Sequence, residues 1–189
     1  MRSLSITLIL LCMTQLGCGE ARAGTSQPDD LAVAGSDAPP TAAACESYKL
    51  EPDFEGAPLT GPQVQDGELI AGDYIISSTY LQLRAEPEAR QKLGELMAPI
   101  MADLMKRDGL LALSFGDSKR CGTARTLAVW RDDVAMFGFV TGEAHGRAVQ
   151  AIDELSRGGS VVMHWSGDKS SANWLSAMNY LAEAEGPFY

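Results

Sequence analysis

His145 is the residue whose type and spacing are best suited to chemistry in this chain. It is one of two histidines, and helical periodicity places it on one face with Ala148, Val149, Ile152 and Leu155, so its imidazole is directed toward an apolar layer. A neutral imidazole there could act as a general base, as a haem ligand or as a donor to a substrate oxygen; its structural alternative is a histidine at a helix start that bonds a loop carbonyl. Trp130 ends an apolar run and could floor a pocket or stack on a flat ring, or pack beneath the helix that follows. Phe139 and Tyr80 complete the candidate pocket, Tyr80 by offering its phenol to a substrate between sheet and helices, and each has core packing as its other reading.

Other chemistries find little support in the residues. His164 lies far from His145 in the chain, and with two histidines and a disulfide-prone cysteine pair no Cys/His cluster assembles, so no metal site is predicted. No G-x-S-x-G elbow occurs. Gly158-Gly159-Ser160 leads into a strand and opens no helix, which excludes a phosphate cradle. The methionine-rich run Leu96 to Met105 reads as adaptable core.

The elements that must position these residues follow from periodicity. Asp73 to Leu83 is β-branched, aromatic and aliphatic, with no Gly or Pro, and predicts a strand. Glu86-Pro87 starts a helix whose apolar face is Leu93, Leu96, Met97, Ile100, Met101 and Leu104, with a kink expected at Pro99. Leu110 to Phe115 and Thr123 to Trp130 are strands joined by the short polar loop Gly116 to Gly122, hence an antiparallel hairpin. Asp132 or Asp133 caps the second helix, which Gly142 interrupts and Gly158-Gly159 ends. Ser160 to Trp165 is the last strand, and Ser170 or Ser171 is expected to cap a tail helix bearing the stripe Trp174, Ala177, Met178 and Leu181. The order β-α-β-β-α-β is α+β and ferredoxin-like, with an antiparallel sheet and an added C-terminal helix.

One question of cover remains. Val161, Met163 and Trp165 alternate with Val162 and His164, so both faces of the sheet are apolar and need cover. A second subunit's sheet, giving a homodimer, is the economical answer; the tail helix folding back is the alternative.

The N-terminus specifies an address. Arg2 followed by the apolar run Leu4 to Met13 reads as a signal peptide over residues 1–17, since a membrane-spanning helix needs about 20 apolar residues. Leu16-Gly17-Cys18 resembles a bacterial lipobox, which makes Cys18 the lipid anchor; Ala21-Arg22-Ala23 is a competing site for ordinary secretion. The expected location is the bacterial cell envelope, facing the periplasm or the surface and held through that anchor alone, with a soluble periplasmic or secreted protein as the alternative. Cys12 leaves with the signal peptide and lipid blocks Cys18, so Cys45 and Cys121 remain as an even pair for a disulfide in an oxidising compartment, free thiols being the alternative.

Residues 18–65 are rich in Gly, Ala, Pro, Ser and Thr and read as a flexible tether to about residue 44, then an irregular arm. Cys45 would hold that arm against a sheet edge or the cleft mouth. Residues 66–189 form the domain. The net charge of −10 becomes −11 once Arg2 is removed, which argues against nucleic acid or anionic lipid as partner.

Val129-Trp130-x-Asp132-x2-Ala135-Met136-x2-Phe139-Val140-x4-His145 resembles the Trp-[Glu/Arg]-Asp-x2-Ala-[Leu/Met]-x2-Phe-x5-His segment of dimeric α/β-barrel proteins related to the antibiotic biosynthesis monooxygenases. With the strand and helix order, the resemblance covers residues 73–165. It implies a homodimeric barrel and an activity drawn from cofactor-free quinone-forming oxygenases, haem-degrading enzymes or haem peroxidase relatives, although many members have no known reaction. The expectation is a monooxygenase-like envelope protein that oxidises a small aromatic compound without a cofactor. The alternative is a non-catalytic protein that binds an apolar ligand or haem, or a dimeric scaffold. In the haem-degrading relatives the ligating histidine lies one helical turn beyond His145, where this chain has Val149.

Overall fold

The computed structural model describes residues 45–46 and 49–184; the expected signal peptide, Cys18 and the tether to residue 44 lie outside them. The chain runs β1 (Glu55–Gly56), β2 (Val64–Gln65), β3 (Glu68–Leu69), β4 (Asp73–Gln82), α1 (Pro87–Leu104), β5 (Leu110–Ser118), β6 (Thr123–Trp130), α2 (Asp133–Val140), α3 (Glu143–Gln150), α4 (Ile152–Leu155), β7 (Val161–Asp168) and α5 (Trp174–Ala182). The main sheet has the order β1-β5-β6-β4-β7, with every pairing antiparallel. This is the ferredoxin-like α+β arrangement, with a C-terminal helix.

Local chemistry differs from expectation at several ends. β5 and β7 run three residues past the predicted Phe115 and Trp165, because Gly116, Asp117 and Ser118 continue the ladder opposite Arg125, Ala124 and Thr123, and Ser166, Gly167 and Asp168 continue it opposite Ile75, Tyr74 and Asp73. Pro99 lies inside α1, as expected, and the helix runs from Pro87 to Leu104. Asp132 caps α2 by accepting from Ala135 N at 2.8 Å. Asn173 caps α5, where Ser170 or Ser171 was expected: both serines are held in a turn on Asp168, leaving Asn173 Oδ1 to accept from Ser176 N at 2.9 Å.

The two faces of the sheet follow from the strand period of two. One carries Ile75, Leu113, Ala128 and Trp130 and packs against Ile100 and Leu104 of α1 and Met136 of α2. The other carries Tyr74, Ile76, Ala112, Leu127, Val129 and Trp165. Patterning leaves this second face for a partner sheet, but here the chain covers it itself. Ala177, Trp174 and Tyr180 of α5 pack on it, with Leu69 of the small β2–β3 hairpin and Leu59 and Val64 of the arm beside them. Tyr180 stacks on Trp165 at 4.3 Å, and Leu181 seals Tyr80 and Val161. The open sheet face expected from patterning is thereby corrected: the tail helix, the alternative cover, lies on it with the hairpin and the arm.

The arm is fastened by four kinds of bond. β1 pairs with β5 at the sheet edge, and the contact continues through Thr60 N to Leu113 O (3.0 Å) and Gln63 N to Leu111 O (3.1 Å). Phe54 lies on Gly116, where a Cβ would run into the ring, and meets Trp174 edge-on at 5.2 Å. Cys45 is joined to Cys121, closing a loop of sequence separation 76, worth roughly 4 kcal/mol in the chain-entropy account. The fourth is an ion pair beneath the arm. Arg125 Nε donates to both oxygens of Glu51 at 3.2 Å, its Nη2 donates to the Lys49 carbonyl at 2.8 Å, and Thr123 Oγ1 donates to the same carboxylate at 2.5 Å. Both side chains are essentially sealed from solvent, at 1% and 0% exposure. The β2–β3 hairpin straddles residue 65, so the arm folds as part of the domain.

Removing one member of a buried pair strands the other charge without compensation. Glu51→Gln is expected to lower stability by roughly 3–5 kcal/mol in urea unfolding, while Glu51→Leu with Arg125→Met recovers most of the loss; equal losses in both would show that packing of the arm, and not the charge, is what matters. In sedimentation at micromolar concentration, protein without residues 1–17 and carrying Cys18→Ser should run as a monomer, and deleting residues 170–189 should make it self-associate through the bared Trp165 face. A dimer that persists with the tail intact would mean that another surface pairs.

Candidate functional site

The sequence-predicted site residues fall on the helix-covered face of the sheet, with one exception. Trp130 ends β6, and its indole stacks on Phe139 of α2 at 5.5 Å. Phe139 in turn meets the His145 ring at 4.9 Å, so three of the expected residues form one continuous aromatic run from sheet to helix. Trp130 is buried, while Phe139 and His145 are half-buried.

His145 owes its position to a helix junction. α2 ends at Val140, and Gly142 caps α3 at a tight point: a Cβ there would stand 2.8 Å from Arg107 Nη2 and 3.0 Å from the Phe139 carbonyl. The last carbonyls of a helix lack intrahelical partners. His145 Nδ1 lies 3.0 Å from one of them, Val140 O. A carbonyl only accepts, so Nδ1 carries the proton and the neutral ring presents its lone pair at Nε2. Burial lowers the imidazole pKa below its ordinary value, against a smaller opposing effect of the Val140 bond, and the ring is therefore neutral at neutral pH. The loop-carbonyl role foreseen for this histidine is thus real, and it leaves the second nitrogen available.

Tyr80 does not belong to this group. Its side chain alternates to the other face, where it is 1% exposed, donates to the Cys45 carbonyl at 2.7 Å and lies under the Arg125 guanidinium at 4.3 Å. Burial pushes its phenol up to about 12, so it stays protonated and serves as a fixed donor to the arm. The pocket role expected of Tyr80 is corrected to a structural one, because strand parity separates it from Trp130. Cys45 and Cys121 pair as expected. Cys18 lies outside the described residues.

The structure adds residues that periodicity did not single out. Trp130 Nε1 donates to Ser77 Oγ at 2.9 Å, and Thr79 and Thr126 share a hydroxyl hydrogen bond at 2.7 Å on the same face. His164 stands opposite Ser77 in the β4–β7 register, and Phe137 meets its ring edge-on at 5.7 Å. Arg107 lies 5.7 Å from the centre of the Phe139 ring. Ser77 and Trp130 are legible as neighbours only once the β4–β6 register is known, and nothing local in the sequence states that register. Hydroxyls, aromatic rings and the imidazoles of His145 and His164 thus lie on one face of the sheet.

No protein-family model matches the chain, and neither does any curated protein. Among solved structures it is similar to Rv0793 from Mycobacterium tuberculosis, at 16% identity over 49% of this chain and 92% of that one, with a TM-score of 0.43. It is similar also to SO0527 from Shewanella oneidensis, at 12% identity over 62% and 99%, with a TM-score of 0.45. A third is SnoaB, a cofactor-independent oxygenase from Streptomyces nogalater, at 14% identity over 51% and 92%, with a TM-score of 0.39. The fold of the present chain is established by its own strand order and register.

A histidine whose folded pKa is depressed stabilises the fold above its unfolded value and loses that contribution as pH falls through the folded one. The His145 ring proton resonance should therefore titrate with a midpoint below the ordinary 6.5. His145→Gln should remove the part of the stability loss that sets in below about pH 6.5. A midpoint at or above the unfolded reference would contradict the buried, Nδ1-bonded ring.

Proposed function

We propose that this chain is an exported bacterial envelope protein, lipid-anchored at Cys18, whose ferredoxin-like domain is a monooxygenase-like oxidoreductase acting on a small aromatic compound between sheet and helices. The observation that carries the reading is the state of His145: neutral, fixed by Val140, with its ring against Phe139, which in turn stacks on Trp130, and with no partner for Nε2 among the described residues. Oxygen chemistry without a cofactor needs a substrate that forms a stabilised carbanion, and so a base next to an apolar wall. In this reading Nε2 takes a proton from an activated ring CH2. The carbanion delivers electrons to O2, a C–O bond forms, and loss of water leaves a ring carbonyl. One O2 is consumed, with one oxygen atom in the product and the other in water. Trp130 and Phe139 hold the ring by stacking.

Haem is a poorer fit to these side chains. The position from which haem-degrading relatives ligate iron is Val149, which has no lone pair to offer, and no step is assigned to iron. Export is supported by the charged-then-apolar N-terminus and by the Cys45–Cys121 bridge, a bond typical of oxidising compartments. A second reading, a non-catalytic binder of an apolar ligand, is favoured by the Nδ1 bond to Val140, which a purely structural histidine also makes.

Oxygen uptake with a panel of ring compounds bearing an acidic CH2 separates the two. Turnover that falls by about 10²–10⁴-fold in His145→Ala supports the base role. Unchanged turnover in that variant removes His145 from the mechanism, and ligand in the native mass without uptake by any compound favours the binder.

A further inference from the structure

Ser77 lies where the helical cover of the sheet gives out. On its face β7 presents Val162, His164 and Ser166, all exposed, with Val162 at 50%. Ser77 itself is half-buried between this open strip and Trp130. Its Oγ accepts the indole N–H of Trp130 at 2.9 Å, and among the described residues its own proton has no acceptor. Accepting one hydrogen bond polarises a hydroxyl and makes it a better donor for the next. Thr79 and Thr126, on the same face, share one hydrogen bond between them, so one of these two hydroxyls also keeps its proton. The Ser77 proton is therefore an uncommitted donor directly beside the Trp130 indole, with Phe139 stacked on Trp130 and Phe137 set edge-on to His164, the residue opposite Ser77 in the β4–β7 register.

We propose that Ser77 is the group through which this cleft recognises an oxygen substituent, and that its ligand is a one- or two-ring aromatic bearing a hydroxyl or carbonyl. The inference rests on the reading of the cleft as a ring-binding site and adds what selects among rings. The ring faces the aromatic side chains, its oxygen accepts from Ser77 Oγ, and the Trp130–Ser77 bond holds that donor in place. An apolar ring of the same size fills the same space but leaves the Ser77 proton unsatisfied, which is the kind of mismatch by which buried donors discriminate between ligands.

The test uses 2-naphthol and 2-methylnaphthalene, which share a ring system and nearly a volume. Binding to the exported chain is followed by tryptophan fluorescence and by the 15N–1H resonance of the Trp130 indole, assigned by its loss in Trp130→Phe. The wild-type protein should bind 2-naphthol about tenfold more tightly, a difference equivalent to one hydrogen bond, and the Trp130 resonance should move further with 2-naphthol than with 2-methylnaphthalene. Ser77→Ala should bring the two affinities within about twofold by weakening 2-naphthol alone, and Ser77→Thr, which keeps a hydroxyl, should retain the preference. A preference that survives in Ser77→Ala overturns the assignment. Equal binding of both probes by the wild type also overturns it while leaving the ring-binding cleft intact, whereas binding of neither removes the cleft reading as well.

Discussion

A guanidinium inside a sheet face is the constraint on which the rest of this structure depends. Arg125 projects from the middle of β6 between Thr123 and Leu127, on the side of the sheet away from α1 and α2. A charge there is tolerable only if it is paired and its remaining donors are satisfied. Glu51 supplies the carboxylate, and the arm's own carbonyls take further donors. The arm must therefore cross this face, and once it does, the Tyr80 bond to Cys45 O, the Cys45–Cys121 bridge and the β1 edge pairing all come within reach. The pair adds little net stability by itself, but it specifies where some fifteen residues without a regular core of their own have to lie.

Covering this face within the chain decides which face is left partly open. The arm occupies the half of the second face around Arg125, while α5 and the β2–β3 hairpin occupy the half around Trp165. The first face has helices over β5 and β6 but exposed residues along β7. Openness, aromatic rings and uncommitted polar atoms thus coincide on the helix side, at the border between covered and uncovered strand.

The junction between α2 and α3 does the remaining work at the site. A continuous helix would satisfy the Val140 carbonyl with a backbone N–H and carry His145 onward without a fixed partner. The break at Gly142, whose extended backbone separates α2 from α3, turns that carbonyl into the acceptor that sets the histidine's tautomer. A helix end, a glycine and a histidine three residues later are enough to place a basic nitrogen beside Phe139.

Element types and their order were legible in the sequence, because they depend on local periodicity: the β-branched run at Asp73, the apolar stripe of α1, and the Asp132 cap ahead of Met136. The Cys45–Cys121 pairing was legible by counting, and the placing of Trp130, Phe139 and His145 in one aromatic run by their spacing at the end of β6 and along the helices that follow. What local pattern could not decide was which long-range partner meets each exposed face. Tyr80 and Trp130 are both aromatic strand residues, and only the β4–β6 register, with its two-residue alternation, puts them on opposite sides of the sheet. Ser77 gained its role from the same register. Cover for the second face was underdetermined for a similar reason: an apolar surface accepts a partner sheet or a tail helix equally well, and the hydrophobic effect has no direction with which to choose. The choice was made by a directional interaction between residues 74 positions apart, the bond of Arg125 to Glu51, together with the reach of α5 back across β7 and β4, and both exist only in the folded chain.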